Sequence, residues 1–233
     1  DKSEPKYMNS SETPVYSKRR VLYGLNLAKK SKRPNIILCE GNLDIVTLHQ
    51  AGFDNAVASM GTALTVEQTR LLSRFTKELV LCYDNDNAGK IATERALQIL
   101  NGSEFSVKVL QLPRRLVDGE YIKQDADDFI KLQGPDAFER LLNGSENGVE
   151  FRMAQIAGKY DLKDDEARIA YCGEVSELLA SLPGAVEREI YTGRAAEAAG
   201  ITAEAMKLEV QRSFKRRIAR EKRAELRKDL NPA

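Results

Sequence analysis

Residues Leu79–Lys90 read LVLCYDNDNAGK, an apolar run that ends abruptly at two aspartates one residue apart. A continuous apolar run of this length is typical of a strand that is covered on both faces of a parallel sheet. Residues i and i+2 of an extended segment point to the same side, so Asp84 and Asp86 are expected to approach and repel each other. The flanking sequence has to explain why a buried strand ends in two like charges.

Short apolar runs alternate with helical patterns on both sides of this stretch. The predicted strands are 36–39, 55–59, 78–84 and 105–112. Helices of the length found between them join parallel strands, so the sequence predicts an α/β fold with a small, doubly wound, mainly parallel sheet. After residue 148 the strand signals stop, and apolar positions three and four apart predict an all-α helical subdomain.

Acidic residues stand where the predicted strands end, at the edge where ligands bind in open α/β sheets. Glu40 follows one strand, Asp84 and Asp86 follow another, and Asp125, Asp127 and Asp128 come after the last. Oxygen ligands of this kind suit Mg²⁺, and two such ions would clamp an in-line phosphoryl displacement. The alternative for the D-N-D stretch alone is a helix N-cap by Asp86 or Asn87.

Composition limits the classes of function. Lys plus Arg number 36 against 35 Asp plus Glu, so net charge gives no argument for nucleic-acid binding. Three scattered cysteines without a C-x-x-C pair, together with a single histidine, argue against a Cys/His zinc site and predict a reducing, cytoplasmic location. No apolar stretch approaches the ~18 residues of a membrane span. The polar start at Asp1 suggests an excised fragment.

Three segments, in this order and spacing, resemble the Toprim domain of bacterial replicative DNA primases: EGNLDIVTLHQAG (40–52), AVASMGTALTVEQ (56–68) and VLCYDNDNAGKIATERAL (80–97). Upstream, PKYMNSSETPVYSKRRVLYGL (5–25) resembles the end of the preceding subdomain of the same polymerase core. GKYDL (158–162) and LPGAVEREIY (182–191) resemble the helical subdomain that follows. The resemblance implies domains at 1–34, 35–145 (Toprim) and 146–233 (helical).

The resemblance also implies site residues at the matching positions. Glu40, Asp84 and Asp86 correspond to catalytic and metal-binding positions, and Asp125 and Asp127 to a later acidic pair that binds metal. Positions that approach nucleotide or template correspond to Lys6, Tyr7, Asn9, Lys18, Arg20 and Asp44. The chain departs from the family pattern at Asn42, at Ala126 in place of proline, and at Asn85 in place of the glycine between the two aspartates.

A primase-like function follows from the resemblance. It implies synthesis of short RNA primers on a single-stranded DNA template from ribonucleoside triphosphates, by nucleotidyl transfer that depends on Mg²⁺ or Mn²⁺. Glu40 could instead act as a general base. The family's zinc module and helicase-binding module are expected to lie outside this chain, so the isolated fragment should be weakly active or inactive. A monomer in the bacterial cytoplasm, without membrane association, is expected.

Rival interpretations come from other classes. Toprim domains also serve nucleases and topoisomerases, although a type IA topoisomerase would need a further large domain with a nucleophilic tyrosine. A non-catalytic Toprim-helical binding module is the alternative without chemistry. Residues 195–210 could form a DNA-reading helix-turn-helix, although two packed antiparallel helices are commoner. The basic segment 211–228 reads as a solvated terminal helix or as a phosphate-contacting face.

Overall fold

The computed structural model describes residues 11–59, 61, 63–117 and 120–230. The chain folds as two compact units, of which the first ends at Gly148 and the second begins at Val149. Within the described part of the chain, no helix is both long enough and apolar enough to cross a membrane. The three cysteines, Cys39, Cys82 and Cys172, are buried free thiols.

The first unit alternates strands and helices through its fourth helix. In chain order its elements are β1 (Leu22–Tyr23), α1 (Leu25–Ala28), β2 (Asn35–Cys39), α2 (Asn42–Gln50), β3 (Ala56–Ser59), α3 (Val66–Leu72), β4 (Glu78–Cys82), α4 (Asn87–Leu100), β5 (Ser106–Val109), β6 (Arg115–Val117), β7 (Glu120–Ile122), α5 (Ala126–Gln133), α6 (Pro135–Asn143) and β8 (Glu146–Asn147).

The main sheet has six strands in the order β1-β3-β2-β4-β5-β8. Its four central strands are parallel, as the apolar runs predicted, and the short edge strands β1 and β8 pair antiparallel. Strands β2, β3 and β4 line up so that Cys39 lies beside both Ala58 and Cys82. This register brings the carboxyl ends of β2 and β4 to the same level of the sheet.

Apolar side chains cover both faces of the sheet. On one face Ile37 and Val80 pack with α2, α5 and α6 in a core that includes Phe53 and Phe138. Residues of the opposite parity, such as Leu38, are also fully buried. Burying one such side chain is worth about 1.5–3 kcal/mol, which explains why these strands read as continuous apolar runs rather than as alternating ones.

A two-stranded hairpin, β6–β7, follows the main sheet's β5 and was not among the predicted strands. Its strands pair antiparallel, with Leu116 opposite Tyr121 and Val117 opposite Glu120. The sequence signal for it was present, since Asp118-Gly119 between apolar residues is a strong indicator of a hairpin. The strand prediction 78–84 also needs correction, because β4 ends at Cys82 and leaves Asp84 in the loop beyond it.

The second unit is helical, as predicted. Its helices are α7 (Gly148–Ala157), α8 (Asp165–Ala180), α9 (Ala185–Ala199) and α10 (Ala203–Leu230). Tyr171, Val175, Ala195 and Met206 lie in one buried core shared by these helices. Gly200 ends α9 in the left-handed conformation, the usual C-terminal stop. Residues 195–210 therefore form two packed helices that bury their facing sides in this unit's own core.

Candidate metal centre

Three of the predicted acidic residues lie just beyond the carboxyl ends of β2 and β4. Glu40 directly follows β2, Asp84 lies two residues beyond β4, and Asp86 is the residue before α4. One carboxylate oxygen of Glu40 accepts a hydrogen bond from the backbone N–H of Asp84 at 3.3 Å. The structure thus joins the ends of the two strands through the Glu40 side chain.

The pKa of Glu40 is raised, first by partial burial and then by the negative charge of Asp84. Burial disfavours the charged form of a carboxyl group, and a neighbouring carboxylate adds to that effect. A cation held among these oxygens would offset both effects by stabilising the charged form. The electrostatics of Glu40 therefore favour the binding of a positive ion at this edge of the sheet.

Asp86 also caps the helix that begins at Asn87. Its Oδ1 accepts the backbone N–H of Gly89 at 2.8 Å, which is the main reason that its pKa is lowered. The helix-cap interpretation of the D-N-D stretch is therefore correct for Asp86. It does not exclude a ligand role, because a carboxylate has a second oxygen, and Oδ2 of Asp86 lies 3.5 Å from the ammonium of Lys123.

A second acidic cluster lies at the start of α5. Asp125 caps this helix, its Oδ1 accepting the backbone N–H of Asp128 at 2.8 Å. Oxygens of Asp125, Asp127 and Asp128 lie within 4.8 Å of one another, a spacing that one metal ion could bridge. Among the described residues, Glu40, Asp84 and Asp86 are not drawn together as a threefold group of this kind.

Asp44 links the two clusters through the fold. On α2, its Oδ2 accepts the N–H of Gly41 at 3.1 Å and its Oδ1 accepts the N–H of Asp127 at 3.1 Å. Burial, and then the charge of Asp125, raise the pKa of Asp44 to about 6 from its ordinary value of 3.8. Asp44 therefore fixes the first turn of α5, which carries Asp127.

Asp127 is held by two further side chains. Its Oδ1 accepts the hydroxyl of Thr47, one helical turn along α2 from Asp44, and its Oδ2 accepts the ammonium of Lys131 at 2.6 Å. A ligand role for Asp127 would therefore require Lys131 to give up its position. Lysine ammonium groups thus form ion pairs with Asp84, Asp86 and Asp127, so each of the two clusters already has a counter-ion.

The residues at this edge fit a divalent cation. They offer hard oxygen ligands from two strand ends and one helix start, which is the donor set that Mg²⁺ and Mn²⁺ prefer. The raised pKa values of Glu40 and Asp44 mark charge that the protein itself does not fully compensate. The raised pKa values therefore support a cation site independently of the number of acidic residues at this edge.

A cavity of about 350 Å³ opens beside Glu40. Its walls include Ser59, Gly61, Tyr83 and Arg95, so that it is lined by a buried aromatic ring, a hydroxyl and a guanidinium. A pocket of this size and mixed lining is large enough for a small organic ligand next to the carboxylates. Neither Tyr83 nor Arg95 was singled out from the sequence, although both lie in the segment that carries the aspartates.

The predicted template-binding residues are placed only in part. Lys6, Tyr7 and Asn9 lie outside the described residues. The backbone carbonyl of Lys18 accepts the amide of Gln68 at 3.0 Å, and that of Arg19 accepts the hydroxyl of Thr65 at 2.7 Å. The capping box of α3 thereby holds the basic segment in place, while the side chain of Arg20 is exposed.

One residue of the site, Lys123, was not predicted from the sequence. It contacts both Asp84 and Asp86. Asp128, expected as a member of the third acidic set, completes the acidic group at α5, where D-A-D-D places two carboxylates in the first turn of a helix. Lys123 could not be predicted, because its approach to the aspartates depends on the β6–β7 hairpin.

Three families match successive parts of the chain. Residues 1–29 match the family described as DNA primase catalytic core, N-terminal domain, and residues 37–130 match the Toprim-like family. Residues 149–204 match the DnaB-helicase binding domain of primase. The last match differs from the expectation that the helicase-binding module lies outside this chain.

Curated relatives at this level of similarity carry the name DNA primase. The chain is 38% identical to the DNA primase of Clostridium acetobutylicum over 207 residues, which are 88% of the chain and 33% of that protein. It is 36% identical to the DNA primase of Listeria monocytogenes over 215 residues, 91% of the chain and 33% of the relative. The chain thus spans about one third of the length of the curated relatives it matches.

Solved structures extend the similarity to the fold. A DNA primase domain from Pseudomonas aeruginosa superimposes with a TM-score of 0.72 at 31% identity, covering 91% of this chain and 65% of that one. A DnaG primase catalytic domain bound to single-stranded DNA has a TM-score of 0.72 at 30% identity, with 88% and 64% covered. These similarities include both the sheet that carries the acidic residues and the helices that follow it.

Proposed function

Since this chain belongs to the bacterial DNA primase family, we propose that it is part of the catalytic core of an enzyme that synthesises short RNA primers on single-stranded DNA. The observation that carries the proposal is the meeting of Glu40 and Asp84, through a hydrogen bond, at the carboxyl edge of a Toprim sheet. That edge is where an open α/β sheet binds its ligand.

The proposed reaction is a nucleotidyl transfer. The 3′-hydroxyl of the growing RNA attacks the α-phosphorus of a ribonucleoside triphosphate, and the bond to the β-phosphate breaks to release pyrophosphate. Mg²⁺ or Mn²⁺, when bound, would stabilise the negative charge that builds up on the phosphate oxygens. We assign the metal ligands to Glu40, Asp84, Asp86, Asp125 and Asp127.

The chain's own residues have separate tasks in this scheme. Glu40 and Asp84 hold the ends of β2 and β4 at a fixed spacing, and Asp44 holds the first turn of α5, which carries Asp127. Such fixed ligands lower the cost of organising the site at the moment of reaction. The cavity lined by Tyr83 and Arg95 adjoins Glu40 and has space for part of the nucleotide.

Template contacts are assigned to the basic segment before β1. Lys18 and Arg20 lie on a backbone that Gln68 and Thr65 hold against α3, so their cationic side chains project from a fixed base. Contacts between such cations and phosphate oxygens supply much of the affinity for nucleic acid and position the strand. Lys6, Tyr7 and Asn9 belong to the same proposed surface.

Partners and context follow from the family. We propose single-stranded DNA, ribonucleoside triphosphates and RNA primer as ligands, and the replicative helicase as a protein partner through residues 149–204. A monomer in the bacterial cytoplasm is the proposed state. Because the chain covers about one third of its relatives' length, we expect it to prime weakly or not at all by itself.

Two experiments test the proposal at different levels. In the first, crystals of the wild type and of Asp84→Asn are soaked with Mn²⁺ and a ribonucleoside triphosphate, and anomalous density is compared. Peaks at the edge formed by Glu40, Asp84 and the start of α5 are expected in the wild type and should be lost in the variant. Absence of wild-type peaks would remove the metal assignment.

The second experiment is a segment exchange. The matching segment of the Clostridium acetobutylicum primase is replaced by this chain, which is 38% identical to it, and ribonucleotide incorporation on single-stranded DNA is measured. The chimera should make primers, and Asp84→Asn in the chimera should reduce incorporation by about 100-fold or more. A folded chimera that binds Mn²⁺ but makes no primer would contradict the catalytic assignment.

A further inference from the structure

Lys123 places its ammonium between the two aspartates of the D-N-D stretch. Its Nζ lies 3.2 Å from Oδ2 of Asp84 and 3.5 Å from Oδ2 of Asp86. The shared ammonium answers the question posed by two like charges one residue apart, because it lies where both carboxylates can reach it. The pKa of Lys123 is raised, first by its hydrogen bond to Asp84 and then by the charge of Asp84.

The backbone at position 123 is fixed on both sides. Ile122, the preceding residue, pairs with Arg115 across the hairpin, and the following residue, Gln124, is 2% exposed. Asp125, one residue further on, is already the cap of α5. The position of the ammonium is therefore set by folded structure, although the side chain of Lys123 is 61% exposed and is able to leave by rotation.

The base of the hairpin is also attached to the D-N-D stretch itself. The Asn85 side chain donates to the carbonyl of Leu112 at 2.6 Å, and Nε of Arg114 donates to the carbonyl of Asn85 at 3.4 Å. These two bonds join the loop between the aspartates to the chain that enters β6. Lys123 and its two acidic partners are thus carried by segments that are fixed to each other.

We infer that Lys123 is a built-in counter-ion, which holds Asp84 and Asp86 in place without metal and which a divalent cation must displace from the site. The inference rests on the metal site of the proposed function and names a regulation of that site. A cation that binds the two carboxylates repels the ammonium, since like charges at 3–4 Å destabilise each other. Lys123 therefore sets how much free divalent cation is needed to fill the site.

An ordinary surface ion pair would behave differently. Such a pair contributes little and has no effect on a ligand that binds elsewhere. Lys77 provides the comparison within the same unit, because it forms an ion pair with Glu104 at an exposed position. Substitution of Lys77 removes the same charge and a pair of the same kind, whereas substitution of Lys123 removes a competitor from the proposed site.

The test is a Mn²⁺ titration followed by electron paramagnetic resonance of the free ion. The proteins are the wild type, Lys123→Gln, Lys123→Arg and the control Lys77→Gln. We expect Lys123→Gln to bind Mn²⁺ about threefold to tenfold more tightly than the wild type, the range that one or two partly exposed ion pairs can supply. Lys123→Arg and Lys77→Gln should remain close to the wild type.

A second measurement is the thermal unfolding of the same four proteins. Without metal, Lys123→Gln should melt below the wild type, and saturating Mn²⁺ should raise its melting temperature by more than it raises that of the wild type. If the wild type and Lys123→Gln bind Mn²⁺ equally, or if the variant binds more weakly, the counter-ion role is wrong and the metal site stands. If neither protein binds Mn²⁺, the proposed metal site is wrong, and the counter-ion role of Lys123 is wrong as well.

Discussion

Gly89 packs so closely on Asp84 that a Cβ atom at position 89 would lie 2.0 Å from the backbone carbonyl oxygen of Asp84. The first turn of α4 thus rests on the loop that carries the aspartates. Glycine at position 89 therefore lets a helix approach a strand end.

Gly89→Ala should therefore destabilise the protein. The added methyl group meets backbone atoms, which cannot move without shifting Asp84, so we expect a loss of about 2 kcal/mol or more in the free energy of unfolding. Urea denaturation measures this loss. Gly173→Ala in α8 is the matched control, because its Cβ would meet no atom within 4 Å, and it should stabilise by about 0.5–1 kcal/mol.

Glu40→Gln should separate stability from metal binding. The amide oxygen can still accept the N–H of Asp84, while the charge that repels Asp84 is gone, so we expect the metal-free protein to gain about 0.5 kcal/mol. The stabilisation by Mn²⁺ should be lost at the same time. Paired melting curves with and without Mn²⁺ test both parts, and a variant that is still stabilised by Mn²⁺ would contradict the ligand role of Glu40.

The buried carboxyl group of Asp44 predicts a pH dependence of stability. Its pKa is about 6 in the folded chain against an ordinary 3.8, so the folded state binds a proton more tightly than the unfolded state. Stability should therefore fall as the pH rises from about 4 to about 6.5, by up to about 3 kcal/mol from this group alone.

The measurement for Asp44 is urea unfolding of the metal-free protein between pH 4.5 and 7. Asp44→Asn keeps the size of the side chain and cannot ionise, so the difference in stability between wild type and variant should shrink or change sign as the pH rises. A pH-independent difference would show that Asp44 does not hold its proton in this range. Mn²⁺ is left out so that the result concerns the carboxyl group alone.

The side-chain amide of Asn85 donates a hydrogen bond to the backbone carbonyl of Leu112 at 2.6 Å. Asn85→Ala should cost about 1 kcal/mol of stability, the usual value of one hydrogen bond. Mn²⁺ affinity should change by no more than about twofold, since the amide binds the hairpin base and not the carboxylates. A large loss of Mn²⁺ affinity would mean that the metal site depends on this anchor.

The sheet could be predicted from the sequence because its strands are short, apolar on both faces and separated by capped helices. Thr65 and Gln68 form such a cap, a capping box at the start of α3. The strand prediction ran two residues too far at β4, because Tyr83 continues the apolar run: it is buried but lies beyond the last paired residue, Cys82. An apolar run indicates which residues are buried, and here the buried residues extend beyond the last residue that pairs in the sheet.

The acidic residues were predicted by type and place, but their partners were not. Lysines next to acidic residues are common in any sequence, and whether they meet depends on contacts such as that between Lys123 and Asp84, 39 residues apart. Asp86 and Asp125 each also cap a helix, and the sequence indicated this role for Asp86. Whether a cap also binds a ligand depends on the second oxygen, which a sequence does not reveal.

One carboxylate oxygen of Asp86 accepts a hydrogen bond from the backbone N–H of Gly89, and one of Asp125 accepts from the backbone N–H of Asp128. These two amide protons are therefore one hydrogen bond away from the carboxylates proposed to hold metal. Any ion that withdraws electron density from those carboxylates weakens the acceptor of the amide hydrogen bond, and the amide resonance in a nitrogen–proton correlation spectrum shifts with it. The helix starts thus provide native spectroscopic probes at two points of the site, without a label in the site itself.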